Sequence, residues 1–311
     1  MRTAREGVLG ARISIAAPDA VDFGTFHRAT GAAFALLHRV EEAICAPRQG
    51  SSVRLICEGL LGAADLDGHL GGRESHEARE LCETLRAVGE RASAAWDGGG
   101  RAGRGQDRRG QDRRGQDGRG QDGRGRVLTG QDGGVPRFDP REAVKCWAAE
   151  RASVLLAARG LSRHVLNAGG DLRLRSDAGA GAAWRVRLAH PRVTGGLLAT
   201  LEILEGAVAT CQAAERAASV RAPATGPGAT GLTQVTVTGP DLARADLHAA
   251  AAMAQPTTAR ARAWLDRLAA ATPYQALSVD TRGRIHATSG LAGLIRLEGE
   301  PAAGESGQGT G

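Results

Sequence analysis

The side chains able to do chemistry are sparse, and one stands out by its isolation. Lys145 is the only lysine in a chain of 311 residues; every other strongly basic side chain is Arg. Taken alone, a lysine in a helical stretch reads as a solvated surface charge. A little earlier, Asp139-Pro140 reads as a helix start, a carboxylate cap followed by the ring that suits a first turn. The run Asn167-Ala168-Gly169-Gly170-Asp171 contains two residues without a Cβ. Such a pair serves either a tight turn or the close approach of backbone to a ligand. Asp246, in a second helical stretch, is either a surface charge or a hard-oxygen ligand for a cation.

Other chemistries find little support. The five cysteines, at 45, 57, 82, 146 and 211, form no CxxC pair and match no zinc module, so they read as buried free thiols. Cys211 has no activating His or helix N-terminus evident beside it, which argues against a nucleophile there. No GxGxxG follows the first strand, so neither Rossmann nor P-loop phosphate binding is indicated.

The elements that must position these residues alternate between strand and helix. Residues 8–17 read as one strand, and about Thr25 to Ala46 as a long helix with apolar Phe34, Leu37 and Val40. Ser75 caps a second helix whose apolar face is Ala78, Leu81, Cys82, Leu85 and Val88. The helix opened by Asp139 buries Val144, Trp147, Ala148, Leu155 and Leu156, and Gly160 closes it. Strands are expected at about 164–175, 183–189, 198–210 and 232–238. Helices follow from Pro240-Asp241 to about Met253 and through Trp264, and a hairpin turns at Thr281-Arg282-Gly283.

Composition bounds the remainder. A hydrophobic content of 42% supports a globular body, and no apolar run is long enough to span a membrane. The first residues lack the apolar core and cleavage site of a signal peptide, so a cytoplasmic address is expected. Between Arg101 and Arg126, nine Arg against four Asp supply +5 of the net charge of +6, leaving about +1 for everything else. Residues 98–134 therefore read as a disordered low-complexity insertion built on repeats of Arg, Gly, Gln and Asp. It lacks aromatic side chains for stacking bases, so nucleic acid is not an expected partner. The insertion divides a single α+β domain into parts at 1–97 and 135–296, with a flexible tail at 297–311.

Three stretches in order resemble the ApbE family of FAD:protein FMN transferases. FDPREAVKCWAAERASVLLAARGLSRHVLNAGGDLRLR is similar to the family's D-x-x-G-x-x-K-G-x-A followed by N-x-GGD. GAVATCQAAERAASVRAPATGPGATGLTQVTV resembles its ATSG…H-x-x-D-P-x-TG…V-T-V block, and GPDLARADLHAAAAMA its A-D-x-x-x-T segment. The resemblance implies a two-lobed α+β fold of mixed sheets flanked by helices. It also implies a Mg²⁺-dependent transfer of FMN from FAD to a Ser or Thr hydroxyl in a motif of a target protein, with release of AMP. Asp139, Lys145, Ala95, Trp96, Asp97 and Val220 then fall at positions that bind the dinucleotide. Asp246, Glu142 through its backbone oxygen, and Ala250 fall at the metal.

The chain departs from the family's pattern where catalysis would sit. Ser219 stands in place of His, Ala222 of Asp, Ala250 of Thr, and Cys211-Gln212 of Ser-Gly. Loss of a general base costs roughly 10² to 10⁴ in rate. His248 replaces that base only if it faces the cleft. Two functions therefore stay open, an active flavin transferase and a catalytically impaired flavin-binding relative.

Overall fold

The computed structural model describes residues 1–41, 140–176, 182–213, 231–255 and 257–297, with backbone alone at 140–143 and 296–297. The expected helix after Ser75 and the insertion lie outside the described residues.

Strands β1 (Arg2–Val8) and β2 (Ala11–Ala17) open the chain, and helix α1 (Phe23–Val40) follows. Helix α2 (Pro140–Ala158) leads into β3 (His164–Ala168) and β4 (Asp171–Arg175). Next come β5 (Trp184–Ala189), β6 (Leu197–Ile203), β7 (Gly206–Gln212) and β8 (Leu232–Gly239). Helices α3 (Leu242–Met253) and α4 (Thr258–Ala271) precede β9 (Gln275–Asp280), β10 (Ile285–Ala287) and β11 (Ile295–Leu297). One antiparallel sheet runs β1-β2-β3-β4-β7-β8-β9-β10, and a second runs β11-β6-β5. The α+β expectation holds.

Strand alternation sorts side chains onto two faces of the large sheet. Ala207, Ala209, Val235, Val237 and Ala276 join the core formed with the four helices. Val208, Leu174, Leu277 and Val279 face the other way and pack with Val186, Leu188, Leu198 and Leu201 of the small sheet. Helices therefore cover one face and the small sheet covers the other.

Three expected strands are broken by turns: one is a hairpin, one begins with the turn of a hairpin, and one divides between the two sheets. Residues 8–17 turn at Leu9 (φ 56°) and Gly10 (φ 69°), a two-residue loop between β1 and β2. Leu9 holds that left-handed conformation while its N–H donates to Glu41 Oε1 at 2.7 Å. Residues 164–175 turn at Gly169 (φ 70°) and Gly170 (φ 113°), and 198–210 turn before Gly206. A loop this short leaves the apolar alternation almost unbroken, so the sequence pattern reads through it.

Helix ends follow local rules. Asp22 caps α1 by accepting from Thr25 N–H at 2.8 Å, which starts that helix two residues before its expected position. Gly160 ends α2 with φ 88°, its N–H reaching Ala157 O and the Leu161 N–H reaching Leu156 O. That is a Schellman stop, with Leu156 and Leu161 both fully buried beside it. Leu155, expected in the core, is only half-buried.

Beneath α2 sits a buried polar trio. His164 Nδ1 lies 2.6 Å from Leu161 O and its Nε2 2.8 Å from Ser153 Oγ, while Arg175 Nε donates to that same Oγ. The carbonyl fixes the proton on Nδ1, so Ser153 donates to Nε2 and the ring is neutral. Burial, with smaller contributions from Arg175 and Arg173, lowers this His to about 4 against the pull of the Leu161 carbonyl. Because the unfolded value is near 6.5, the unfolded chain takes up a proton that the native chain refuses. Stability present above pH 6.5 is therefore lost as pH falls toward 4, by about 3 kcal/mol in all. Denaturant titrations across that window should show the slope in the wild type and a flatter profile in His164→Asn.

Candidate functional site

Helix α2 runs between α1 and α3 and against β3 and β4, so it is buried nearly all round. Lys145 lies on it, 5% exposed, which a charged residue tolerates only when paired. Its partner is Asp171 at the start of β4, with Nζ 3.2 Å from Oδ2. The alternative of a solvated surface charge is set aside; the ammonium is held inside the fold.

The glycine turn makes room for this pair. A Cβ on Gly169 would lie 3.5 Å from Lys145 Nζ and 3.2 Å from Ala11 Cβ, at a φ that disfavours any side chain. The Asn167 to Asp171 run is thus a hairpin turn closing over the buried ammonium of Lys145. The tight-turn reading of the run holds.

Asp171 is saturated with donors. Its Oδ1 accepts from Thr210 N–H on β7 at 3.1 Å, and its Oδ2 accepts from Cys146 Sγ–H at 3.5 Å as well as meeting Lys145. Burial pushes the carboxyl up, while the Lys145 ammonium, the Thr210 N–H and the Cys146 thiol pull it back down. Thr210 continues the network to Thr236 Oγ1 at 3.0 Å.

Helix α3 delivers the second carboxylate. Asp241 caps it by accepting from Arg244 N–H, as expected. Asp246, half-buried one turn in, comes together with Cys146 and Asp171, one ligand atom of each lying within 4.8 Å of the others. Two carboxylates suit a divalent cation, but a thiol is not a donor that Mg²⁺ takes. Ala250, one turn further along α3, has a side chain with no ligand atom.

His248 is not brought to this cluster. It is buried against Tyr274, with ring centroids 4.9 Å apart, and against Trp264 at 5.7 Å. Two residues along a helix from Asp246 is slightly more than a half-turn, so the two side chains diverge. Among the described residues its ring packs in this aromatic cluster rather than beside Asp246. Asp139, Ala95, Trp96, Asp97, Ser219, Val220 and Ala222 lie outside the described residues, as does the side chain of Glu142.

A second rung braces the first. Glu150 Oε1 accepts from Arg173 Nε at 2.8 Å, two residues beyond Asp171 on the same face of β4. Its Oε2 accepts from the Leu242 N–H that begins α3, at 3.0 Å. Arg173 also donates to the carbonyls of Leu174 and Gly206. Charge polarity reverses between rungs, with Lys on α2 facing Asp on β4 in one and Glu facing Arg in the other. Sequence reasoning missed Cys146, Glu150, Arg173 and the pairing role of Asp171. Only one signal pointed to the last, a single lysine that must find an acid if it is buried.

Residues 135–273 match the sequence pattern of the ApbE family. No curated protein sequence matches the chain at a significant level. Among solved structures, the chain is similar to the ApbE protein of Thermotoga maritima, with 18% identity, a TM-score of 0.61, and 93% of this chain and 97% of that one covered. It is similar also to the flavin transferase ApbE of Vibrio cholerae, with 17% identity, a TM-score of 0.59, and 94% and 99% covered. The apo form of the Pseudomonas stutzeri flavinyl transferase ApbE gives 18% identity, a TM-score of 0.59, and 95% and 97% covered. At such identities the likeness is one of fold.

Proposed function

Because residues 135–273 match the ApbE family and the fold is that of solved flavin transferases, we propose that this chain is a flavin transferase that moves FMN from FAD to a Ser or Thr hydroxyl of a partner protein. The observation that carries this reading is the placement of the chain's only lysine. It is buried and paired with Asp171, in a cluster that a second carboxylate, Asp246, also joins. A cation on a buried helix beside two carboxylates is the equipment for holding a pyrophosphate and a divalent ion together.

In this reading Lys145 and Asp139 hold the dinucleotide, and Asp246 with Asp171 holds the cation, for which the resemblance implies Mg²⁺. Bound there, the cation would neutralise charge on the pyrophosphate. The acceptor oxygen forms its bond to the FMN phosphorus as the bond to AMP breaks, and the hydroxyl loses its proton. Lys145 offsets negative charge at the phosphates, and Asp171 fixes the ammonium in place. Thr210 N–H and Cys146 hold Asp171 in turn. Proton removal is not assigned to any described residue.

The substitutions at Ser219, Ala222 and Ala250 favour a second reading, a flavin binder with impaired transfer. One experiment separates the two. Full-length protein is incubated with FAD, divalent cation and a peptide carrying a Ser/Thr flavinylation motif. A transferase adds the mass of FMN to the peptide and releases AMP. Retained flavin with no mass increase establishes the binder, and neither outcome together with unbound FAD removes both.

A further inference from the structure

The donors gathered beside Lys145 are not a Mg²⁺ set. Cys146 from α2, Asp171 from β4 and Asp246 from α3 each bring one ligand atom to within 4.8 Å of the other two. Mg²⁺ takes oxygen in octahedral geometry, and α3 offers no second side-chain oxygen one turn beyond Asp246, where Ala250 stands. Thiolate, in contrast, selects cations of the zinc class.

The spacing agrees with that chemistry. A tetrahedral zinc-class ion holds sulfur at ~2.3 Å and carboxylate oxygen at ~2.0–2.2 Å, which sets the two donors about 3.5 Å apart. Cys146 Sγ lies 3.5 Å from Asp171 Oδ2. The thiol proton now lies between those two atoms, so an ion would take the proton's place. The proton leaves to solvent, and the Oδ2 lone pair that accepted it turns to the cation. Charge closes as well. Lys145 with the carboxylates of Asp171 and Asp246 and a Cys146 thiolate carries two net negative charges, which a divalent cation neutralises in a largely buried place.

We infer that this chain binds a thiophilic divalent cation of the zinc class through Cys146, Asp171 and Asp246, in preference to Mg²⁺. The inference rests on the transferase reading only for what the ion then does; binding itself is independent of transfer.

The test uses Co²⁺ as a spectroscopic probe of metal-free, full-length protein. Wild type should take up one equivalent and show a near-ultraviolet thiolate-to-cobalt charge-transfer band, and Zn²⁺ but not equimolar Mg²⁺ should displace it. Cys146→Ser, nearly isosteric, should lose the band and bind Zn²⁺ at least about tenfold more weakly, a loss that even outer-shell changes reach. Asp246→Asn keeps the thiol and should also weaken Zn²⁺ at least about tenfold, which serves if the serine variant fails to fold. A band that survives in Cys146→Ser, Co²⁺ uptake without a band, no uptake, or displacement by equimolar Mg²⁺ would overturn the assignment. A failed transfer assay on the same protein changes none of these readings.

Discussion

Lys145→Met should cost about 3–5 kcal/mol of folding stability at neutral pH and abolish binding of the flavin dinucleotide. The ammonium is 3.2 Å from Asp171 Oδ2 with both side chains under one-tenth exposed, so its removal leaves an unmatched carboxylate inside the protein. Asp171 has Thr210 N–H and the Cys146 thiol left as donors, and neither supplies a full charge. The burial that already raises this carboxyl then acts almost unopposed, and the group takes up a proton. Denaturant unfolding measures the first effect and FAD titration the second. Adding Asp171→Asn to the variant separates them, because an amide keeps an acceptor for Thr210 N–H and carries no charge. Much of the stability should return while dinucleotide binding stays lost. If binding returns with the stability, Lys145 is a structural cation and no more.

Glu150→Ala should be nearly as costly, again about 3–5 kcal/mol, through a different set of losses. Arg173 is 5% exposed, and without Glu150 its nearest carboxylate is Glu205 at 3.7 Å, a group that is itself half in solvent. The Leu242 N–H at the start of α3 loses its acceptor in the same step. Since α3 carries Asp246, that loosening should also weaken cation binding, whereas a surface charge deletion would leave it unchanged. Glu150→Gln keeps an oxygen for Leu242 but presents an N–H to Arg173, so it should recover only part of the stability. A loss below about 1 kcal/mol on Glu150→Ala would place this pair among exposed bridges and contradict the brace.

The sequence carried the α+β class, the helices among the described residues and the approximate positions of the strands, because apolar periodicity and end signals are local. Asp241, Gly160 and the Gly283 turn all lie where their chemistry put them. It could not carry the hairpins at Leu9-Gly10 and Gly169-Gly170, since a two-residue loop scarcely interrupts alternation. Lys145 and Asp246 were legible by type and position, but their surroundings were not. Asp171 reaches Lys145 across 26 residues, Glu150 reaches Leu242 across 92, and only the folded sheet brings such partners together. His248 shows the converse. Nearness in sequence to Asp246 suggested a shared site, and helical geometry sends it into an aromatic cluster instead.

The proposed site around Lys145 is tested most directly by calorimetric titration of FAD into the wild-type protein, with divalent cation present and then removed by chelation. Saturable uptake of one FAD per chain, weakened when the cation is withdrawn, is the expected result. No heat and no change in flavin fluorescence under either condition would contradict the assignment of this site.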